Sequence, residues 1–216
     1  NSINLEDGEE RFDAVMPLVK KYGAAVVVGT IDETGMAITR ERKLEVAKRS
    51  YQLLTEKWGI APEDIIFDPL MFPVGTGDEQ YIGAAEETIE GIRLIKQELP
   101  GVLTVLGVSN ISFGLPPVGR EVLNAVYLYH CTQAGLDYAI VNTEKLERYA
   151  SIPDAEIEMA NDLIFRTNDE TLAKFTEFYR GKKKEAVELV LPETVEERLA
   201  YYILEGTKEG LIEDLN

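Results

Sequence analysis

The sequence predicts an α/β fold built on a parallel β-sheet, and three observations carry that reading. Four short runs are almost wholly apolar, as strands buried under helices should be. The longer segments between them repeat apolar residues at three and four positions with charges in between. Glycine or proline stands where most of those segments should stop.

Taken in order, "NSIN" at the start reads as the end of one strand. A helical pattern over Glu9 to Tyr22 stops at Gly23, and "AAVVVGTI" (Ala24 to Ile31) follows as a strand. A second pattern, Thr39 to Trp58, stops at Gly59 and leads to "DIIFDPL" (Asp64 to Leu70). A third, Glu79 to Leu99, stops at Pro100-Gly101 before "VLTVLGVS" (Val102 to Ser109). The fourth, Arg120 to Ala134, stops at Gly135 before "LDYAIVN" (Leu136 to Asn142). Strand spacings of about 35 to 40 residues suit a doubly wound sheet or part of a barrel, and the pattern alone does not choose. Beyond Asn142 come helical stretches around Pro153 to Phe165 and Asp169 to Arg180, a charged linker "GKKKEAVELVLPET", and a last helical stretch from Val195. Leu199, Ile203, Gly206, Gly210 and Leu211 share one side of that stretch.

Bulk properties narrow the function. The 216 residues are 45% hydrophobic, enough for an ordinary core without staples. Cys131 is the single cysteine, so no internal disulfide is possible, and without a Cys/His cluster no structural zinc is expected. A reducing, cytoplasmic setting fits. No window approaches the roughly 18 apolar residues of a membrane span. The net charge of −17 argues against a nucleic-acid partner, because the one dense basic run is Lys182 to Lys184.

Both α/β architectures gather functional residues at the C-terminal ends of strands. Those ends carry Thr30 and Asp32, then Asp68, then Ser109 and Asn110, then Asn142. Asp and Asn also favour turns and helix caps, so any one of them has a second explanation. No GxGxxG, GxxxxGK[ST] or GxSxG occurs, and "PVGTG" (Pro73 to Gly77) lacks the lysine of a phosphate loop. His130 and Cys131 fall inside an amphipathic segment and read as packing residues.

Particular strings carry a family resemblance. "NSINLEDGEERF", "YGAAVVVGTIDETGMA", "PEDIIFDPLMFPVGTG", "ELPGVLTVLGVSNISFGL" and "AGLDYAIVN" resemble, in this order, the pterin-binding domain of cobalamin-dependent methionine synthases. The resemblance implies a (β/α)8 barrel of the dihydropteroate synthase type, of which this chain holds about strands four to eight. Residues 1–150 are then the C-terminal half of the barrel, 151–182 its closing helices, and 183–216 a linker and the first helix of a cobalamin-binding cap. A half barrel leaves two open edges and an unfilled interior.

The resemblance also implies the chemistry. The substrate is 5-methyltetrahydrofolate, the methyl acceptor is cobalamin carried by another module, and this segment binds no metal. A buried carboxylate can accept two parallel hydrogen bonds from the amide-like edge of a pterin, and Asp68 is the residue that matches. Asn1 and Asn110 match the carboxamides that serve the remaining ring atoms, with Gly107 and Ser109 in the same "GVSN" motif. Asn110 is the residue expected beside the methylated nitrogen. Arg120 is a candidate for the anionic folate tail, with Asp32, Phe113 and Asn142 as further candidates. Methyltransferases that serve a corrinoid iron–sulfur protein share the Asn, Asp and Asn positions but commonly carry a polar residue where this chain has Phe113. A third reading is an incomplete piece, inactive alone. Pteroate synthesis lacks its lysine and arginine signature after "GVSN".

Overall fold

In a computed structural model the apolar runs become Ile3–Leu5 (β1), Val26–Asp32 (β2), Gly35–Met36 (β3), Ile65–Asp68 (β4), Leu103–Gly107 (β5) and Tyr138–Ile140 (β6). The structure describes residues 2–182, 194–205 and 210–215. The strands form one sheet in the order β1-β2-β4-β5-β6, with every neighbour along that path parallel. β3 folds back antiparallel on β2, pairing Met36 with Ile31. Two residues are too few to show a strand pattern in sequence, and that hairpin was not expected.

Helices connect the parallel strands: Glu10–Tyr22 (α1), Arg40–Gln52 (α2), Ala84–Glu98 (α3) and Pro117–Ala134 (α4), followed by Asp154–Phe165 (α5) and Asp169–Tyr179 (α6). Gly23 and Gly135 end α1 and α4 in the left-handed region, at φ 60° and 107°, where a side chain would be strained. Three expected boundaries move for local reasons. α2 gives way at Leu53–Lys57 to a π-helical turn, inside which the Thr55 hydroxyl donates to the Tyr51 carbonyl at 2.8 Å. α3 starts at Ala84 because Gly83 sits at φ 79°, leaving Glu79–Tyr81 as a separate 3-10 turn. α4 starts at Pro117, since a proline in the first turn forgoes an N–H that has no partner there.

The two faces of the sheet differ. Ile3, Leu5, Val26, Val28, Ile65 and Phe67 lie buried with Phe12 and Met16 of α1 and Ala47 of α2. Leu106 of β5 joins a second core with Tyr127, Cys131, Leu163, Phe175 and Tyr179 from the later helices. Fully burying each such side chain contributes about 1.5–3 kcal/mol. Strand alternation sends Val27, Ile66, Asp68, Leu103, Val105 and Gly107 to the other face, and the register aligns Ile66 with Leu103 and Gly29 with Asp68. None of these belongs to either buried core.

The chain divides into two units, Asn1–Lys182 and Lys183–Asn216. In the second, Val195–Glu205 (α7) and Leu211–Leu215 (α8) are joined by Arg198 and Tyr202, which donate to the Asp214 carboxylate at 2.6 to 2.7 Å. Gly206 and most of the linker expected before Val195 lie outside the described residues. Among the described residues no helix is long and apolar enough to cross a membrane.

Candidate functional site

The site begins where β4 runs out. Pro69 follows Asp68 and cannot donate to a neighbouring strand, and Leu70 then turns into the left-handed region at φ 63°. The Leu70 amide folds back to donate to Asp68 Oδ1 at 2.9 Å. The carbonyls so released face α2, where Lys43 Nζ donates to Pro69 O at 2.7 Å and to Leu70 O at 3.3 Å. From α3 the Thr88 hydroxyl also donates to Leu70 O, at 3.0 Å. Burial raises the Asp68 carboxyl above the usual aspartate range, against the opposing pull of the Leu70 amide and the Lys43 charge. Burial pushes Lys43 down to about 7, against the attraction of Asp68 and Glu87.

β5 ends at Gly107 and passes directly into a 3-10 turn, Val108–Ser112. Within that turn Asn110 folds back over the strand end. Its Nδ2 lies 3.2 Å from the position a β-carbon on Gly107 would occupy, so glycine leaves room for the carboxamide. Gly107 and Asp68 share the uncovered face of the sheet, and the Asp68 and Asn110 side chains border the same space there. They line a recess of about 420 Å³ together with Met36, Leu70, Met71, Phe72, Gly107, Ser109 and Ile140. Its volume falls in the range of small-molecule sites. One carboxylate, one carboxamide and an apolar wall suit a flat heterocycle with donors along one edge.

Other expected residues are distributed around that centre. Ser109 also borders a second recess of about 260 Å³, lined by Arg120, Glu121, Asn124, Asn142 and Lys145 among others. Arg120 Nε donates to Ser112 Oγ at 3.2 Å, and Asn142 Oδ1 caps the next turn by accepting from the Glu144 amide at 3.1 Å. Asp32 is on Val28's face of β2, turned toward the helices, where it accepts from the Thr34 amide and hydroxyl and from Arg42. Burial raises its carboxyl, but those hydrogen bonds outweigh burial and leave it below the ordinary value. Phe113 is 64% exposed beyond the turn and lines neither recess. Asn1 lies outside the described residues. Cys131 is buried with its thiol pushed up to about 12, and His130 pairs with Asn161 at 2.7 Å, so both are held in helix packing.

Comparison with known families matches residues 1–142 to the pterin binding enzymes. This chain belongs to that family. It is 42% identical, across 100% of its length, to the methionine synthase of Mycobacterium tuberculosis (strain ATCC 25618 / H37Rv) and to that of Mycobacterium leprae (strain TN). The chain spans 19% of the length of each of these curated relatives. Membership among the pterin binding enzymes settles the architecture that strand spacing left open. The parallel sheet is part of a (β/α)8 barrel, and both recesses sit at the C-terminal ends of its strands.

Within this pterin-binding fold the sequence reading missed the wall of the recess and the cation behind it. Met36 comes from the unexpected hairpin, and Leu70, Met71 and Phe72 from the loop after β4. In sequence Lys43 is one of several charges in the helical stretch Thr39 to Trp58. A faint signal existed, since Lys43, Val46, Ala47 and Ser50 share the three-and-four spacing of a buried face. Among the described residues no group of three or more His, Cys, Asp or Glu could hold a metal ion.

Proposed function

We propose that the recess at the ends of β4 and β5 binds the pterin ring of 5-methyltetrahydrofolate and presents its N5 methyl group to cob(I)alamin, as one step of methionine synthesis from homocysteine. The observation that carries this reading is that Asp68 and Asn110 line one recess at the strand ends. The likeness to two methionine synthases supports it. It also favours this role over transfer to a corrinoid iron–sulfur protein.

In this reading the Asp68 carboxylate accepts the ring N–H and the exocyclic amine, while Met71, Phe72 and Ile140 cover the flat surface. The second recess, beyond Ser109, receives the anionic tail beside Arg120, with Asn142 at its rim. Asn1 serves a remaining polar atom of the ring. Cobalamin, when bound, supplies the nucleophile that takes the methyl group. No residue of this chain is assigned as its ligand; a further module carries it, and residues 183–216 are read as a linker and the first helix of that module's cap.

The remaining chemistry belongs to the site. When the C–N bond breaks, its electron pair stays on N5. A proton already on N5 lets that nitrogen leave as a neutral amine instead of an anion. An asparagine has no acid proton to give, so the proton comes from solvent. Asn110 orients its carboxamide oxygen to accept that N–H, an interaction made only once N5 carries the proton, so it favours the species from which the methyl group leaves. The setting proposed for this chemistry is the cytoplasm.

In the full-length protein, Asp68→Ala should weaken methyltetrahydrofolate binding by about 2 to 4 kcal/mol, read by calorimetric titration. Asn110→Ala should lower single-turnover methyl transfer more than affinity. Unchanged transfer in Asn110→Ala would remove its assigned role. The chain alone is proposed to bind folate weakly, because its sheet covers only part of the ring; micromolar affinity would contradict this.

A further inference from the structure

The fold buries one whole cation beside the candidate carboxylate. Lys43 is fully buried, an uncommon fate for lysine, whose charge is expensive to remove from water without strong partners. Space for it is specific. A β-carbon at Gly91 of α3 would stand 2.7 Å from Lys43 Cδ, so the stem threads between α2 and α3 only because residue 91 is glycine. Its Nζ spends its three N–H groups on backbone carbonyls: Ala37 at 2.9 Å, Pro69 at 2.7 Å and Leu70 at 3.3 Å. The Phe72 ring, part of the recess wall, lies 5.1 Å away.

We propose that Lys43 is a positioning residue for Asp68: it pins the backbone that follows β4 and keeps the carboxylate aimed into the recess and charged. The proposal rests on the reading of Asp68 as the pterin acceptor. Two carboxylates face Lys43, Asp68 from β4 and Glu87 from α3. Glu87 already has a cation of its own, since Arg40 of α2 binds it through Nε at 3.0 Å, Nη2 at 2.6 Å and its backbone amide at 2.6 Å. Asp68 is opposed in its burial by the Leu70 amide and by Lys43. Lys43 therefore acts on Asp68 twice, through its charge and through the Leu70 backbone that donates to the carboxylate.

A purely mechanical plug would hold the loop without tying ligand binding to the charge of Lys43. A charged positioning residue makes it depend on two groups. Folate affinity should fall in acid as Asp68 takes a proton, and fall again in alkali as Lys43, held near 7 by burial, loses one.

The test is calorimetric titration of methyltetrahydrofolate from pH 5 to 9 with the full-length protein and its Lys43→Met, Lys43→Gln and Asp68→Ala variants. Lys43→Met should move the acid limb up by about one pH unit, roughly a tenfold loss of affinity on that limb, and abolish the alkaline limb. If the methionine variant does not fold by thermal denaturation, Lys43→Gln carries the same readout with a neutral donor. Wild-type affinity and pH profile in the folded Lys43 variant would overturn the proposal. So would a uniform loss of affinity with both limbs unmoved, which is the mark of a plug. If Asp68→Ala binds like wild type, the pterin reading itself fails; if Asp68→Ala loses binding while the Lys43 variants do not, only the role of Lys43 falls.

Discussion

Asp32 and Asp68 end two strands that lie side by side in the sheet, and they face opposite ways. Asp32 turns toward the helices and is held by Thr34 and Arg42. Asp68 turns to the uncovered face, keeps one local amide and opens into a recess. The difference lies in how its partners leave each carboxylate. Hydrogen bonds from Thr34 and Arg42 hold Asp32 below the ordinary range in spite of burial, whereas burial wins at Asp68 and holds it above. One carboxylate is used up by its own fold and the other is left short of donors, which is the condition a ligand can relieve.

The sharpest way to break this contrast is substitution at each strand end in turn. Asp68→Ala carries the large loss of folate affinity given above, whereas Asp32→Ala should leave affinity within about twofold and instead destabilise the β2–β3 hairpin by roughly 1 to 2 kcal/mol. Calorimetry and urea denaturation on both variants read the two effects. A folate defect in Asp32→Ala with the fold intact would put that residue back among the binding groups.

The second expectation concerns sign. Between 3.8 and the raised Asp68 value the folded state holds the extra proton, so Asp68 makes stability fall as pH rises through that window. Asp32 does the reverse: below 3.8 the unfolded chain binds the proton first, and its contribution is lost as pH falls through the lowered value. Lys43 adds a third slope, since from about 7 to 10.5 the unfolded chain holds more protons and stability rises with pH. Urea midpoints taken at stepped pH should lose one slope each in Asp68→Asn, Asp32→Asn and Lys43→Met. The same slope surviving its own substitution would show that another group titrates there.

The smallest effect is expected at Gly107. A methyl group there would sit 3.2 Å from Asn110 Nδ2 and displace the carboxamide by a few tenths of an ångström. Gly107→Ala should therefore slow methyl transfer roughly threefold with little change in thermal stability. A loss as large as that of Asn110→Ala would mean that the amide cannot adjust at all.

Much of this arrangement is legible in the sequence, and the limits are physical. Apolar runs and glycine stops located the parallel strands to within two or three residues, because the helix-covered face of each strand is mostly apolar, with Thr30, Asp32 and Thr104 as buried polar exceptions. The strand-end residues Asp68, Ser109 and Asn110 were visible for the same reason, as the first polar residues after each run. Which way a strand end points was harder to see. Asp32 and Asp68 look alike in sequence, and only the two-residue alternation counted back to Val28 and Phe67 separates them. Lys43 stayed hidden because its partners are backbone carbonyls, which leave no trace in side-chain identity.

Leu70 adds a mechanical consequence. A leucine in the left-handed region costs about 1 to 2 kcal/mol, and the turn at φ 63° persists while both helices grip its carbonyl. The strand end is thus a sprung catch. Slackening anywhere along the seam between α2 and α3 would reach the ligand as a swivelled carboxylate well before any part of the loop came undone.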